Sequence, residues 1–229
     1  MKKCVLFDLD GTLVTTGGAG VQALDKAFLS IFNLSGSMDG IDPSGKTDPA
    51  IIREIFRKKL NQDCPEDKMI AVQEEYLKFL PEECESATGY RVMEGIPGIL
   101  EELNNRKISA GLGTGNLERG ARIKLERGNL NPHLPFGGYG SDSEDRPSLL
   151  KIGWSKAEKY SQTSISRNGV FVVGDTQRDI LAARQAGFKV IAVATGHTSE
   201  RILKAHNPDF YLPDFTDVGG FIDIICGKC

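Results

Sequence analysis

The 229-residue sequence predicts an α/β fold, a doubly wound parallel sheet with an all-helical subdomain inserted after the first strand. Three observations carry that expectation. From about Ile96 onward, short apolar bursts rich in β-formers alternate with helix-length segments, the rhythm of strand–helix–strand units. From Thr15 to about Thr88 the apolar residues fall at helical spacing and no strand-like run is recognisable. A chain of this length buries roughly 70–75% of its unfolded surface, so it needs no disulfide or metal to hold a core together.

Taken in order, Lys3 to Asp8 is a short apolar burst that ends in a glycine turn and reads as a buried first strand. Ala23, Leu24, Ala27, Phe28 and Ile31 give Gly20–Asn33 a helical face. Asp48 as N-cap and Pro49 at the first helical position open a second helix, with Ile51, Ile52, Ile55 and Phe56 on its apolar side. A third helix follows Pro65 through Met69, Val72, Tyr76 and Phe79 and is expected to end at Pro81. Beyond the insertion, helices are expected at Ile96–Asn105, Leu117–Arg127, Pro147–Tyr160 and Asp179–Ala186, the last with Gly187 as C-cap. Strands are expected at Ile108–Gly113, weakly at Phe136–Tyr139, and at Gly169–Val173, Val190–Ala194 and Phe210–Leu212. The expected division is a core of residues 1–15 and 92–229 and a helical cap of residues 16–91.

Composition narrows the function. With 28 basic and 31 acidic residues, a net charge of −3 and no Lys/Arg block, neither nucleic acid nor an anionic membrane is an expected partner. Asp8 and Asp10 interrupt the only apolar run near the N-terminus, so no secretory signal is expected. The five cysteines are odd in number and scattered, which fits reduced thiols and a cytoplasmic location. Cys226 and Cys229 form a C-x-x-C without the context of a redox or zinc motif and read as a tail. His133, His197 and His206 have no ligand spacing, and Trp154 reads as core or interface.

In an open parallel sheet, ligands sit beyond the carboxyl ends of the strands. Three expected strands end in Asp8-Leu9-Asp10-Gly11-Thr12, in Gly113-Thr114-Gly115-Asn116 and in Gly174-Asp175-Thr176-Gln177-Arg178-Asp179. Carboxylates gathered on one edge need a cation, and all-oxygen ligands suit Mg²⁺. Asp8 and Asp10 lie two apart and, on an extended strand end, would point the same way. Such a pair divides labour when one member attacks and the other donates a proton; an Asp-Gly turn after a strand is the plain alternative. Thr114 with Gly115 suits a phosphate held by a hydroxyl and backbone N–H groups, or simply a helix cap. Gly111-x-Gly113-x-Gly115 imitates a dinucleotide fingerprint but fails where its last glycine should stand, at Asn116. Asp175 and Asp179 share one face if a helix begins there, or Asp179 is a first-turn acid.

In this order and at these positions, the three constellations resemble the motifs of the haloacid dehalogenase-like hydrolase superfamily, whose core is Rossmann-like. The helical insertion, with Gly45-Lys46-Thr47-Asp48, resembles the cap of its phosphoglycolate-phosphatase-like branch. The resemblance implies that Asp8 is a nucleophile and Asp10 a general acid and base. It implies that Asp8, the Asp10 carbonyl and Asp175 bind Mg²⁺, with Asp179 a ligand or a neighbour of one. Gly11, Thr114, Gly115 and Asn116 would surround the phosphoryl group. Where the family usually carries a lysine, this sequence has Arg146-Pro147, and Arg146 is favoured over Lys151 as the phosphoryl-binding cation because a guanidinium grips phosphate in bidentate fashion. Lys46 either reaches the substrate from the cap or is a solvated loop lysine. Gly17-Gly18 and Gly95 stand where the chain enters and leaves the cap, as hinges or as turns.

The implied activity is Mg²⁺-dependent hydrolysis of a small phosphorylated metabolite through an aspartyl-phosphate, by a monomer or homodimer. A phosphomutase would use the same residues. A dehalogenase would do without Asp10, a phosphorylated receiver domain would be about half this length and uncapped, and a silent phospho-ligand-binding protein would have little use for the whole acidic set.

Overall fold

The computed structural model describes residues 2–228. Strand β1 (Cys4–Phe7) is buried on both faces, which is why it reads as a continuous apolar run. The chain then forms β2 (Val14–Thr16), enters the helices α1 (Ala19–Phe32), α2 (Asp48–Lys59) and α3 (Glu66–Ser86), and returns through β3 (Tyr90–Val92). After α4 (Ile96–Asn105) come β4 (Ser109–Gly113), α5 (Glu118–Glu126) and β5 (Gly137–Gly138). Next are α6 (Arg146–Ser161), β6 (Val170–Gly174), α7 (Gln177–Ala186) and β7 (Lys189–Val193). The sequence closes with α8 (Glu200–Ala205), β8 (Phe210–Leu212) and α9 (Val218–Cys226).

The main sheet has the order β5-β4-β1-β6-β7-β8 and every pairing in it is parallel. The fold class is therefore the one expected. Val5 and Phe7 face a core shared with α4 and α9, while Cys4 and Leu6 face a second core under α6 and α7. A third apolar cluster is built by α1, α2 and α3, and Leu117 at the start of α5 packs into it. Register fixes where the site lies. Phe7 stands level with Leu112 of β4 and Val173 of β6, so the residues that follow these three emerge together at one edge.

Several local expectations are corrected. β2 and β3 pair antiparallel at the entrance and exit of the helical insertion, with three residues each, too short for an alternating pattern to show. Pro81 lies inside α3 and does not end it, because Leu80, Glu83 and Cys84 on either side are buried and their packing outweighs the lost hydrogen bond. Thr47, not Asp48, caps α2, its hydroxyl accepting from the Ala50 amide at 3.4 Å. The weak strand at 136–139 shrinks to Gly137–Gly138. α7 begins at Gln177, so Asp175 lies outside the helix and shares no helical face with Asp179. Helices α8 and α9 were not expected. Cys226 closes α9, and Cys229 lies outside the described residues.

Candidate active site

Three side chains meet at the sheet edge. Asp8 follows β1, Asp175 follows β6, and Asp179 sits in the first turn of α7; all are buried, and each offers a carboxylate oxygen within 4.8 Å of the others. Backbone and side-chain donors hold them there. The Thr12 hydroxyl donates to Asp175 at 3.1 Å. Thr176 and Asp179 form a reciprocal capping box, with the Thr176 amide and hydroxyl donating to Asp179 Oδ2 at 3.0 and 2.6 Å. Thus Asp179 is both the first-turn acid and a member of the cluster. Gly11 (φ 82°) turns the chain where a Cβ would stand 2.5 Å from Asp175 Oδ2.

Arg146, the first residue of α6, donates from Nη2 to Asp179 Oδ1 and lies 3.8 Å from Asp8 Oδ2. Its Nε is buried without a partner among the described residues. Lys151, its sequence alternative, is exposed. One guanidinium faces three acids, and the imbalance shows in the proton affinity of Asp8 and Asp175. Burial first, then Asp179, pushes the Asp8 carboxyl up to about 7 against the pull of Arg146. Burial, Asp179 and Asp8 push Asp175 up to about 8. A buried all-oxygen set short of positive charge is the donor chemistry that fits a hard divalent cation such as Mg²⁺. Both oxygens of Asp179 already accept protein hydrogen bonds, so Asp8 and Asp175 are the freer donors.

Asp10 stands apart from this cluster. β1 ends at Phe7 and the chain turns, with the Gly11 amide donating to the Val14 carbonyl at 2.8 Å, so Asp8 and Asp10 do not share the extended strand end expected of them. The Asp10 carboxylate accepts from Lys124 Nζ at 2.7 Å and from Asn116 Nδ2 at 2.9 Å, and its side chain keeps 41% exposure into the cavity. Asn116 accepts in turn from Lys124 at 2.6 Å and donates to the Thr114 hydroxyl at 2.9 Å. Thr114 itself is fixed by its amide, which donates to the Gly138 carbonyl at 3.0 Å.

Lys124 was not anticipated. It is buried on α5, where Asp10, Tyr76 and Asp48 together outweigh the cost of burial and hold its ammonium charged. A signal existed: Lys124 falls on the apolar stripe of Leu117, Ala121 and Leu125.

Gly115 serves a purpose the motif alone did not reveal. A Cβ there would come within 2.1 Å of the Lys46 carbonyl oxygen, so only glycine lets the loop before α2 lie against the strand end. That loop is tied down further. The Asp48 amide donates to the Gly115 carbonyl, and Asp48 Oδ2 accepts from the Leu117 amide, both at 2.8 Å. Arg178 donates to the Ser44 carbonyl. Burial pushes Asp48 up to about 6 despite Lys124 and the Leu117 amide. Lys46 lines the cavity, with its ammonium paired to Glu54.

Between this floor and the helices lies a cavity of about 410 Å³. Asp8, Asp10, Gly11, Thr114, Arg146 and Asp175 line its base, and apolar side chains from α1, α2 and α3 line the opposite wall. Among the described residues no helix is long and apolar enough to cross a membrane.

A family model described as haloacid dehalogenase-like hydrolase matches residues 5–193. The phosphoglycolate phosphatase of Synechococcus elongatus is 27% identical over 227 residues, covering 94% of this chain and 95% of that protein. The pyrophosphatase PpaX of Oceanobacillus iheyensis is 24% identical over 219 residues, covering 94% of each. The crystal structure of a hydrolase from Pseudomonas syringae superposes with a TM-score of 0.73 at 19% identity, over 98% of this chain and 99% of that one.

Proposed function

The chain belongs to the haloacid dehalogenase-like hydrolases and acts on phosphate esters, and from that premise we propose that it is a Mg²⁺-dependent phosphatase working on a small phosphomonoester through an aspartyl-phosphate on Asp8. The observation that carries the reading is the placing of three buried carboxylates beside a fourth, Asp10, that faces the cavity from a separate hydrogen-bonded corner.

An oxygen of Asp8 attacks phosphorus, the ester P–O bond breaks, and the leaving oxygen takes the Asp10 proton. Water then gives a proton back to Asp10 and attacks phosphorus, breaking the bond to Asp8 and releasing phosphate. Asn116 and Lys124 aim the Asp10 carboxylate at the reacting oxygens. The Thr114 hydroxyl, the Gly115 and Asn116 amides and the Arg146 guanidinium bind the phosphoryl oxygens. Asp8, the Asp10 carbonyl and Asp175 would hold Mg²⁺, oriented by Asp179, and the ion would offset the charge gathered there. Residues 16–91 act as the cap over a core of residues 1–15 and 92–229, and Lys46, its ammonium paired with Glu54, lines the cavity from the cap side.

The chemistry is tested by phosphate release from p-nitrophenyl phosphate, with Mg²⁺ and with EDTA. Release that needs the metal and falls at least about a thousandfold in Asp8→Asn is the expected result. Near-normal turnover in that variant would refute the nucleophile.

A further inference from the structure

We infer that the alcohol released from the phosphoester is uncharged and largely apolar, an alkyl or aromatic group of several carbons and not a carboxylate- or phosphate-bearing one. This rests on the phosphatase reading and extends it to the class of substrate.

The two ends of the cavity differ in kind. Once a phosphoryl group lies against Asp8, Thr114 and Arg146, the rest of the substrate projects toward the cap. The wall it meets is Val21 and Leu24 of α1, Met38, Ile51 and Ile52 around α2, and Tyr76 of α3. All but Val21 are buried in the cap's own apolar cluster, so the gain comes from the substrate's apolar group, which leaves water when it lies against the narrow face they present to the cavity.

Among the described residues no cation in the interior waits for a second anion. Lys46 is paired with Glu54, Lys124 with Asp10, and Arg146 with Asp179. Arg91 and His197 also line the cavity, but both are exposed, and a charge contact there is screened by solvent. Asp48, which lines the cap side, adds negative charge of its own. An anionic leaving group would thus shed its water against apolar side chains and a carboxylate, with no counter-charge to replace it. The cavity of about 410 Å³ leaves room beyond the phosphoryl group for a chain or ring.

The test is kcat/KM of the full chain with Mg²⁺ for ethyl, butyl and hexyl phosphate, against phosphoglycolate and pyrophosphate. The three alcohols have nearly equal acidity, so the bond-breaking step stays constant while buried apolar area grows. The expected rise is about three- to fourfold per methylene, with hexyl phosphate at least tenfold better than either anionic substrate. Met38→Gln, close to isosteric, is expected to reduce the hexyl-to-ethyl ratio at least threefold. Alkylphosphonates, which cannot be hydrolysed, report on the wall without turnover: calorimetric affinity should rise from ethyl- to hexylphosphonate by the same factor per methylene. A flat or falling series in both measurements, or a tenfold preference for phosphoglycolate or pyrophosphate, overturns the inference. If no ester releases phosphate but the phosphonate series still climbs, the phosphatase reading has failed and the apolar wall has not.

Discussion

The floor and the wall of the cavity are built by opposite means. On the floor, charged groups are buried and held from several sides: Asp179 alone accepts from Arg146 and twice from Thr176, and Thr114 is anchored through the Gly138 carbonyl. On the wall, Leu24, Met38, Ile51 and Ile52 make contacts that any side chain of similar volume could make. The floor rests on the register of β1, β4 and β6, which cannot slip without reversing every buried side chain. The wall rests on helices of the insertion, which meet the rest of the chain through the loop before α2 and along the length of α5. Chemistry is therefore placed where the backbone is least free, and selectivity where packing tolerates change.

Lys124 sets the sharpest test of that contrast, because it is a floor residue reached from a helix that also packs against the cap. Lys124→Met keeps the volume and removes the ammonium from Asp10. The expected result is a fall in kcat of about a hundredfold with KM changed less than about threefold, since what is lost is the aim of an acid–base group and not a binding contact. Stability should move by no more than about 1 kcal/mol in urea, because the Asp10 side chain keeps 41% exposure and its charge stays hydrated. A large loss of stability with unchanged kcat per folded molecule would make Lys124 a structural residue only.

Much of the floor was legible in the sequence, for a physical reason. Strands buried on both faces read as apolar runs, and acids standing directly after such runs must lie at the sheet edge. Asp8 and Asp175 are found in that way, whereas Arg146 opens a helix and is found only through the resemblance, at the place where the family carries a lysine. Lys124 was hidden because a lone lysine in a helix reads as surface until its partner, more than a hundred residues away in sequence, is known. The pairing of β2 with β3 was hidden by its length. Gly115 was visible as a phosphate-loop glycine, but its contact with Lys46 depends on how the insertion folds back, which no local pattern encodes.

That contact gives the next prediction. Gly115→Ala places a methyl group 2.1 Å from the Lys46 carbonyl, which is backbone and cannot rotate away. The loop has to lift, at a cost of about 1–3 kcal/mol. The expected outcome is a roughly tenfold loss of kcat/KM carried mostly by KM, with the far-ultraviolet circular dichroism unchanged. If kcat falls alone, the glycine matters to the phosphoryl group and not to the seating of the loop.

The smallest effect is expected at Asp48, where floor and wall meet. Its carboxyl is pushed up to about 6 in the folded chain, against 3.8 as the ordinary value. Between those two values the folded state binds more protons than the unfolded one, so stability falls as pH rises from about 4 to about 6 and stays lower above that window. Asp48→Asn removes the charge but keeps an oxygen to accept from the Leu117 amide. The variant should therefore be more stable than the parent at pH 7.5, by about 1–2 kcal/mol once the partial exposure of the side chain is allowed for, and the difference should shrink toward zero near pH 4. Urea unfolding at the two pH values measures it. Equal stability at pH 7.5 would mean that Lys124 already compensates the buried carboxylate in full, and that the seam between cap and core carries no pH-dependent strain.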